Sequence, residues 1–208
     1  MPYIDRIVAV IIGAMVLIMG ITAQQRARQS NVESTMLYVA KKQTLELADM
    51  LERDLANVGY QTTPGQNAIT SYSQLPNDML DTLQFWGLRR DSVDGAAEQV
   101  EIRYLFVEAD TVEIEQEVIQ LYQMHRFEHV GGSWQSGGES TPTLTRLHVN
   151  LLDENNNAAS RDSTRRIQVR LENAVVPKLA PGNRLNGLQR LHWSTTLSPP
   201  SIRGFQGQ

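Results

Sequence analysis

The chain contains no cysteine among its 208 residues, and this absence removes several classes of function. Without thiols there is no disulfide framework, no cysteine nucleophile and no cysteine-ligated zinc site. Basic residues are not in excess either, because 19 Lys and Arg face 23 Asp and Glu, for a net charge of −4. No basic surface is indicated, so we predict that the chain does not require nucleic acid as a partner.

Glycine and proline are both absent from residues 24–58. This segment is rich in Gln, Arg, Ala, Leu, Glu and Met, which favour helix. Its apolar residues recur at helical spacing and define one stripe, formed by Val32, Met36, Ala40, Leu47, Leu51, Leu55 and Val58. Gly59 follows the stripe directly and is typical of a helix C-cap. The pattern predicts an amphipathic helix that ends at this glycine.

Charge is absent from residues 7–23, a run of 17 mostly apolar residues. As a helix the run would be about 25 Å long, near the lower limit for crossing a hydrocarbon core. A cleavable signal peptide is the alternative, but its basic leader is missing here, since Asp5 and Arg6 contribute one charge of each sign. We predict one nearly continuous helix over residues 4–58, with any break near Gly13 to Gly20.

Residues 60–82 are predicted to form a loop, after which the hydrophobic period changes to two. Alternating segments occur at residues 83–87, 100–106, 112–115, 119–127, 147–151 and 167–171. They are typical of half-buried antiparallel strands. Glycines and asparagines at residues 131–132, 136–138 and 155–157 predict connections.

The predicted fold class is therefore α+β, with a long N-terminal helix packed on an antiparallel β-sheet head. Three parts are expected. Residues 1–25 form a transmembrane or filament-core helix, residues 26–59 its amphipathic continuation, and residues 60–208 the β-rich head.

Two polar segments contain residue types that could form a metal site. His125, Glu128 and His129 match H-x-x-E-H, a zinc protease pattern that requires a helix. On a strand the two histidines would be about 13 Å apart, so we interpret the segment as a surface strand end. Carboxylates and amides bunch in residues 153–162 and offer oxygen ligands for calcium, but a polar hairpin tip explains them as well. We predict no enzyme activity, no cofactor and no catalytic or metal site.

In its order of elements, the chain resembles the type IV pilin and type II secretion pseudopilin superfamily. Asp5 lies four positions after Met1, which is the spacing of the acidic residue inside the otherwise apolar N-terminal stretch of mature pilins. Residues 50–60 (MLERDLANVGY) are similar to the L-x-x-D-L-x-x-x-G-Y ending of larger minor pilins and J-type pseudopilins. Residues 147–155 with 167–171, and residues 193–203, are similar to late segments of those proteins. The chain departs from the family in Pro2 and in having Asp rather than Glu at residue 5.

This resemblance implies a structural subunit of a type IV pilus-like or pseudopilus filament, as a homo- or hetero-polymer with pilin-like subunits. The subunit would reside in the bacterial inner membrane before assembly, with its head outside the cytoplasm, and afterwards in a cell-surface or periplasmic filament. Met1 and Asp5 would pair between adjacent subunits. The filament-core helix would pack through Ile7, Val10, Ile11, Val16 and Leu17.

The sequence is also compatible with two other functions. The first is a single-pass, membrane-anchored extracytoplasmic binding domain that does not polymerise. The second is an enzyme secreted after signal cleavage. Topology adds a further consideration, because Arg26, Arg28, Lys41 and Lys42 outnumber Arg6, and the positive-inside rule alone would place the C-terminal side in the cytoplasm.

Overall fold

The structure is a computed structural model that describes residues 2–63, 66–90, 97–114, 117–175 and 189–203. Within these described residues, two helices and eight strands follow one another. They are α1 Pro2–Ala56, β1 Ile69–Gln74, β2 Leu80–Arg90, β3 Ala97–Ile114, β4 Glu117–Val130, β5 Ser133–Glu139, β6 Leu144–Leu152, β7 Arg166–Val175, β8 Gln189–Leu197 and α2 Pro200–Arg203. All strand pairs are antiparallel. The predicted α+β class is confirmed.

The chain divides into two compact units, Met1–Val39 and Ala40–Gln208. The first contains most of α1, which continues through Gly13 and Gly20 without a break. A single long helix is thus confirmed, with bounds two residues earlier at each end than predicted. The side chains of this unit that are described are exposed, except Met36, which is partly buried.

The second unit is built on one eight-stranded sheet with the order β1-β2-β3-β4-β6-β7-β8, and β5 pairs with β4 outside this path. The final turns of α1 belong to the hydrophobic core of this unit. Leu47, Leu51 and Leu55 cluster there with apolar side chains of the sheet, among them Leu83, Phe85, Ile102, Met124, Leu147, Val149, Ile167 and Val169. The apolar face of an antiparallel sheet needs such a cover.

Burial along the predicted helical stripe begins only at Ala40, which is 8% exposed. Leu47, Leu51, Leu55 and Val58 are buried as predicted, whereas Val32 is 46% exposed. The apolar stripe predicted from the helical period therefore begins at Val32, whereas the buried part of the stripe begins at Ala40.

Three strands differ from the prediction. The predicted loop 60–82 contains β1, residues 136–138 lie inside β5 rather than in a connection, and β8 was not predicted. In β1 only Ile69 is buried, and in β5 only Trp134 is even partly buried. Such strands carry almost no apolar alternation, so their place is decided by pairing with β2 and β4.

Gly59 lies shortly after the end of α1. Asn57 and Val58 donate their N–H groups to Asp54 and Leu55 in tightened turns, and the Gly59 N–H then donates to the Trp86 carbonyl at 2.7 Å. Gly59 has a φ of +81°, and a Cβ there would lie 3.1 Å from that of Ala68. Gly59 has the left-handed conformation typical of a C-cap glycine, but it lies three residues beyond the last residue of α1, and its N–H joins the chain to β2 instead of closing the helix.

Replacing Gly59 by Ala is expected to lower the free energy of unfolding by more than the cost of about 1–2 kcal/mol that a left-handed conformation alone has for a residue with a Cβ, because the added Cβ also crowds Ala68. Chemical denaturation of the full chain in detergent micelles measures this. Gly131→Ala tests conformation without crowding, because Gly131 has a φ of +60° but nothing within 4 Å of its added Cβ. If Gly59→Ala costs no more than Gly131→Ala, the close approach to Ala68 has no energetic role.

Candidate functional site

The N-terminal part of α1 presents an apolar surface with nothing packed on it within the described residues. The predicted filament-core residues all lie on this helix and are exposed. The exposed fractions are Ile7 59%, Val10 71%, Ile11 49%, Val16 64% and Leu17 63%. By length and composition, α1 is one helix able to cross a membrane, a test that a signal sequence near an N-terminus also passes. Soluble monomers rarely expose so much contiguous apolar surface.

The two predicted assembly residues are placed less fully. Met1 lies outside the described residues. Asp5 lies on α1, but its side chain is outside the described part of the chain. Their proposed pairing therefore stays a prediction.

A buried ionic cluster lies where α1 ends against the sheet, formed by Asp54, Tyr104, Arg126 and Glu128. Asp54 Oδ2 accepts hydrogen bonds from Tyr104 Oη, at 2.7 Å, and from Arg126 Nε. Arg126 Nη1 donates in turn to Glu128 Oε1. The side chains of Asp54 and Arg126 are only 3% and 7% exposed. This Asp54 cluster connects the helix to β3 and β4 through charges that are screened much less than exposed charges.

Burial and charge shift the pKa values in this cluster. Burial, and then the negative charge of Asp54, raise the pKa of Tyr104 well above its ordinary value. For Arg126, burial acts to lower the pKa, but the attraction of Asp54 and the hydrogen bonds to both carboxylates outweigh it and raise the pKa. Arg126 therefore stays charged and Tyr104 stays a donor. The cluster acts as a structural connection between α1 and the sheet.

The outer side of the Asp54 cluster opens into a cleft of about 400 Å³, lined by Arg53, Asp54, Asn57, Leu88, Arg89, Arg126 and Glu128. Arg53 lies 3.3 Å from Asp54 Oδ1, and Arg89 lies 3.6 Å from Glu128 Oε2. Sequence reasoning missed this cluster. Asp54 lies in the helix ending at residues 50–60, and Arg126 lies between His125 and His129. No local sequence pattern indicates that two residues so far apart in the chain form an ion pair.

A second polar connection joins α1 to β7. Asn173 Nδ2 donates to Thr44 Oγ1 at 2.9 Å, and Thr44 donates to the Ala40 carbonyl. Beside it, Glu172 accepts from Thr145 Oγ1 at 2.8 Å and pairs with Arg190 at 3.0 Å. Asn173 Oδ1 is buried without a hydrogen-bond partner in the described structure. The Thr44–Asn173 hydrogen bond joins α1 to the sheet at a position N-terminal to the Asp54 cluster.

The H-x-x-E-H residues lie on β4, as the alternation predicts. Side chains alternate across a strand, so His125 and His129 share one face and Glu128 lies on the other, with Arg126. His125 stacks on Phe127, and His129 contacts Trp134 at a ring-centroid distance of 5.1 Å. Among the described residues, no group of three or more His, Asp or Glu side chains is placed to hold a metal ion.

The polar loop at residues 153–162 is organised by Asp153. Its Oδ1 accepts the N–H groups of Asn155 and Asn157, each at 2.8 Å, and its Oδ2 accepts from Asn157 Nδ2. These hydrogen bonds lower the pKa of Asp153, and those with Asn157 have the largest effect. Its oxygens thus serve the turn itself, as in other Asx turns.

Fold and surface together define an α+β chain whose long apolar N-terminal helix continues into an antiparallel sheet domain. This architecture is compatible with that of pilin-like proteins. The helix suggests membrane anchoring by its length and apolar composition. In comparisons with family models, curated proteins and solved structures, the chain matches none of them.

Proposed function

We propose that this chain is a structural subunit of a pilin-like filament, held in a membrane before assembly and polymerising through the apolar part of α1. The observation that carries the proposal is that the exposed apolar surface and the buried Leu47, Leu51 and Leu55 belong to one helix. Lipid before assembly and sister helices afterwards are the two environments that relieve such exposure.

The connection between anchor and head supports a polymer over a tethered receptor. A flexible tether is usually rich in Gly, Ser or Pro, whereas residues 24–58 contain neither Gly nor Pro and are helical up to Ala56. The Asp54 cluster and the Thr44–Asn173 contact hold the last turns of α1 on the sheet. Subunits that must pack in register benefit from such a junction, while a receptor on a tether has no need of it.

The decisive experiment is expression of the full chain together with a filament assembly machinery that accepts it, followed by shearing of the cells. Filaments labelled by an antibody against the head support the proposal. If the chain is found only as a detergent-soluble monomer while the same machinery assembles other subunits, the proposal fails and the rival, a membrane-anchored binding domain, is favoured.

Asp5→Ala is expected to lower the filament yield strongly while the head remains folded. A carboxylate beside an apolar run is stable in a packed core only when its charge is paired, and removing one partner of a buried pair costs about 3–5 kcal/mol. Filament mass per cell measures the effect. Asp49→Ala, an exposed acid of the same helix, is the matched control. Equal yields from the two variants would contradict the pairing of Asp5 with the N-terminal amine.

A further inference from the structure

The hairpin of β3 and β4 extends beyond the rest of the sheet. β2 pairs with β3 only up to Leu105, and β4 pairs with β5 from His125 onward and with β6 at Tyr122. Residues 107–114 and 117–121 therefore pair only with each other and with the base of the hairpin at residues 122–123, among the described strands. We call these residues the β3–β4 ribbon. A two-stranded ribbon is marginally stable in water by itself and gains from a partner.

The ribbon has one sign of charge. Residues 107–114 and 117–121 contain Glu108, Asp110, Glu113 and Glu117 and no Lys or Arg. Within the described structure, Glu108, Asp110 and Glu113 are exposed and make no salt bridge. Val107 and Val118 add exposed apolar surface, with Val118 66% exposed. An acidic strand pair with exposed valines is suited to a basic surface that also offers apolar contact.

The chain itself carries such a surface on α1. Residues 24–42 contain Arg26, Arg28, Lys41 and Lys42 against a single acid, Glu33. Arg26, Arg28 and Lys41 are exposed and make no ion pair within the described residues. Exposed Val32, Leu37, Tyr38 and Val39 lie between these bases. The basic segment therefore combines the opposite charge with exposed apolar side chains.

The two surfaces also agree in length. Eight extended residues of the ribbon span about 26 Å at 3.3 Å per residue. The helix from Arg26 to Lys42 spans about 24 Å at 1.5 Å per residue. The bases at the two ends of the helical segment are therefore separated by about the length of the ribbon.

We propose that the β3–β4 ribbon of one subunit docks on the basic segment, residues 26–42, of a second copy of this chain. This inference rests on the proposed polymer and names a contact within it. Contacts between exposed charges are weakened by salt, so the docking would set the register of neighbours while the apolar helices supply most of the association.

Cysteine cross-linking tests the contact directly, because the chain has no cysteine of its own. Thr111→Cys and Gln29→Cys are introduced into separately tagged full-length copies, which are co-expressed with the assembly machinery and oxidised in the membrane. A heterodimer on a non-reducing gel, carrying both tags, is expected. Asn155→Cys, in the exposed loop of the head, paired with Gln29→Cys is the control and should give several-fold less.

Charge exchange gives the second arm. Glu108→Lys with Glu113→Lys should lower the cross-linked fraction several-fold, as should Arg26→Glu with Arg28→Glu. Combining the two sets in partner copies should restore it. Glu154→Lys with Asp162→Lys, two exposed acids outside the ribbon, should leave it unchanged.

The outcomes separate this contact from the polymer itself. Filaments that form without the heterodimer would overturn the docking contact and leave the proposed function intact. A heterodimer in membranes without filaments would support the contact and count against polymerisation. An internal cross-link in a single chain carrying both cysteines, with no heterodimer from separate copies, would overturn the contact between copies.

Discussion

Arg126→Met is expected to lower the free energy of unfolding by about 3–5 kcal/mol, the cost of leaving one partner of a buried ion pair uncompensated. The substitution removes the guanidinium that joins Asp54 to Glu128, and Asp54, 3% exposed, keeps only Tyr104 and the outlying Arg53. Methionine fills much of the volume, so the loss reports the charge rather than a cavity.

Chemical denaturation of the full chain in detergent micelles measures the effect. Arg53→Met is the matched control, since its side chain is 69% exposed although it also contacts Asp54, and exposed pairs contribute about 1 kcal/mol or less. The double variant Asp54→Leu with Arg126→Met should recover part of the loss, because it also removes the buried carboxylate of residue 54. It does not recover all of it, because the buried Tyr104 hydroxyl loses its acceptor and Glu128 loses its bond to Arg126. Equal effects of Arg126→Met and Arg53→Met would show that the cluster does not stabilise the junction.

Val16→Asp is expected to release the chain from the membrane fraction and to abolish filaments. An apolar residue near the centre of a membrane helix favours insertion by roughly 0.3–0.6 kcal/mol, and Asp opposes it by roughly 2.5–3.5 kcal/mol. The combined change of roughly 3–4 kcal/mol corresponds to more than a hundredfold in the insertion equilibrium.

Membrane fractionation and electron microscopy of sheared material measure the two losses. Gln25→Asp places the same charge just beyond the apolar run and should leave both unchanged, because a helix end lies at the interface. A Val16→Asp chain that stays membrane-bound and assembles normally would contradict the role of this surface.

The long helix and several strands followed from sequence because each shows its period locally. The absence of Gly and Pro from residues 24–58 predicted that the helix continues beyond the apolar run, and Gly59 predicted its end to within three residues. In β6 and β7, alternation matched burial, since Leu147, Val149, Ile167 and Val169 all face the core. Burial on one face leaves this trace wherever a strand has a polar and an apolar side.

Other features depended on groups distant in the chain. The bond between Asp54 and Arg126 joins residues 72 positions apart, and no local pattern marks either as the partner of the other. β8 is different, because its sequence does alternate: Leu191, Trp193, Thr195 and Leu197 are the partly buried positions. It is an edge strand that pairs with β7, and its period of two could have predicted it.

The sequence by itself determined the apolar run, the helical continuity beyond it and the α+β class, because these depend on composition and on periods read over a few residues. Only the tertiary structure decided where the core begins to cover α1, which polar groups connect it to the sheet, and that the β3–β4 ribbon extends past its neighbours. These features depend on which distant strands pair and on how many residues each pair includes. The free energy that stabilises them comes from contacts between segments and not from any one segment alone.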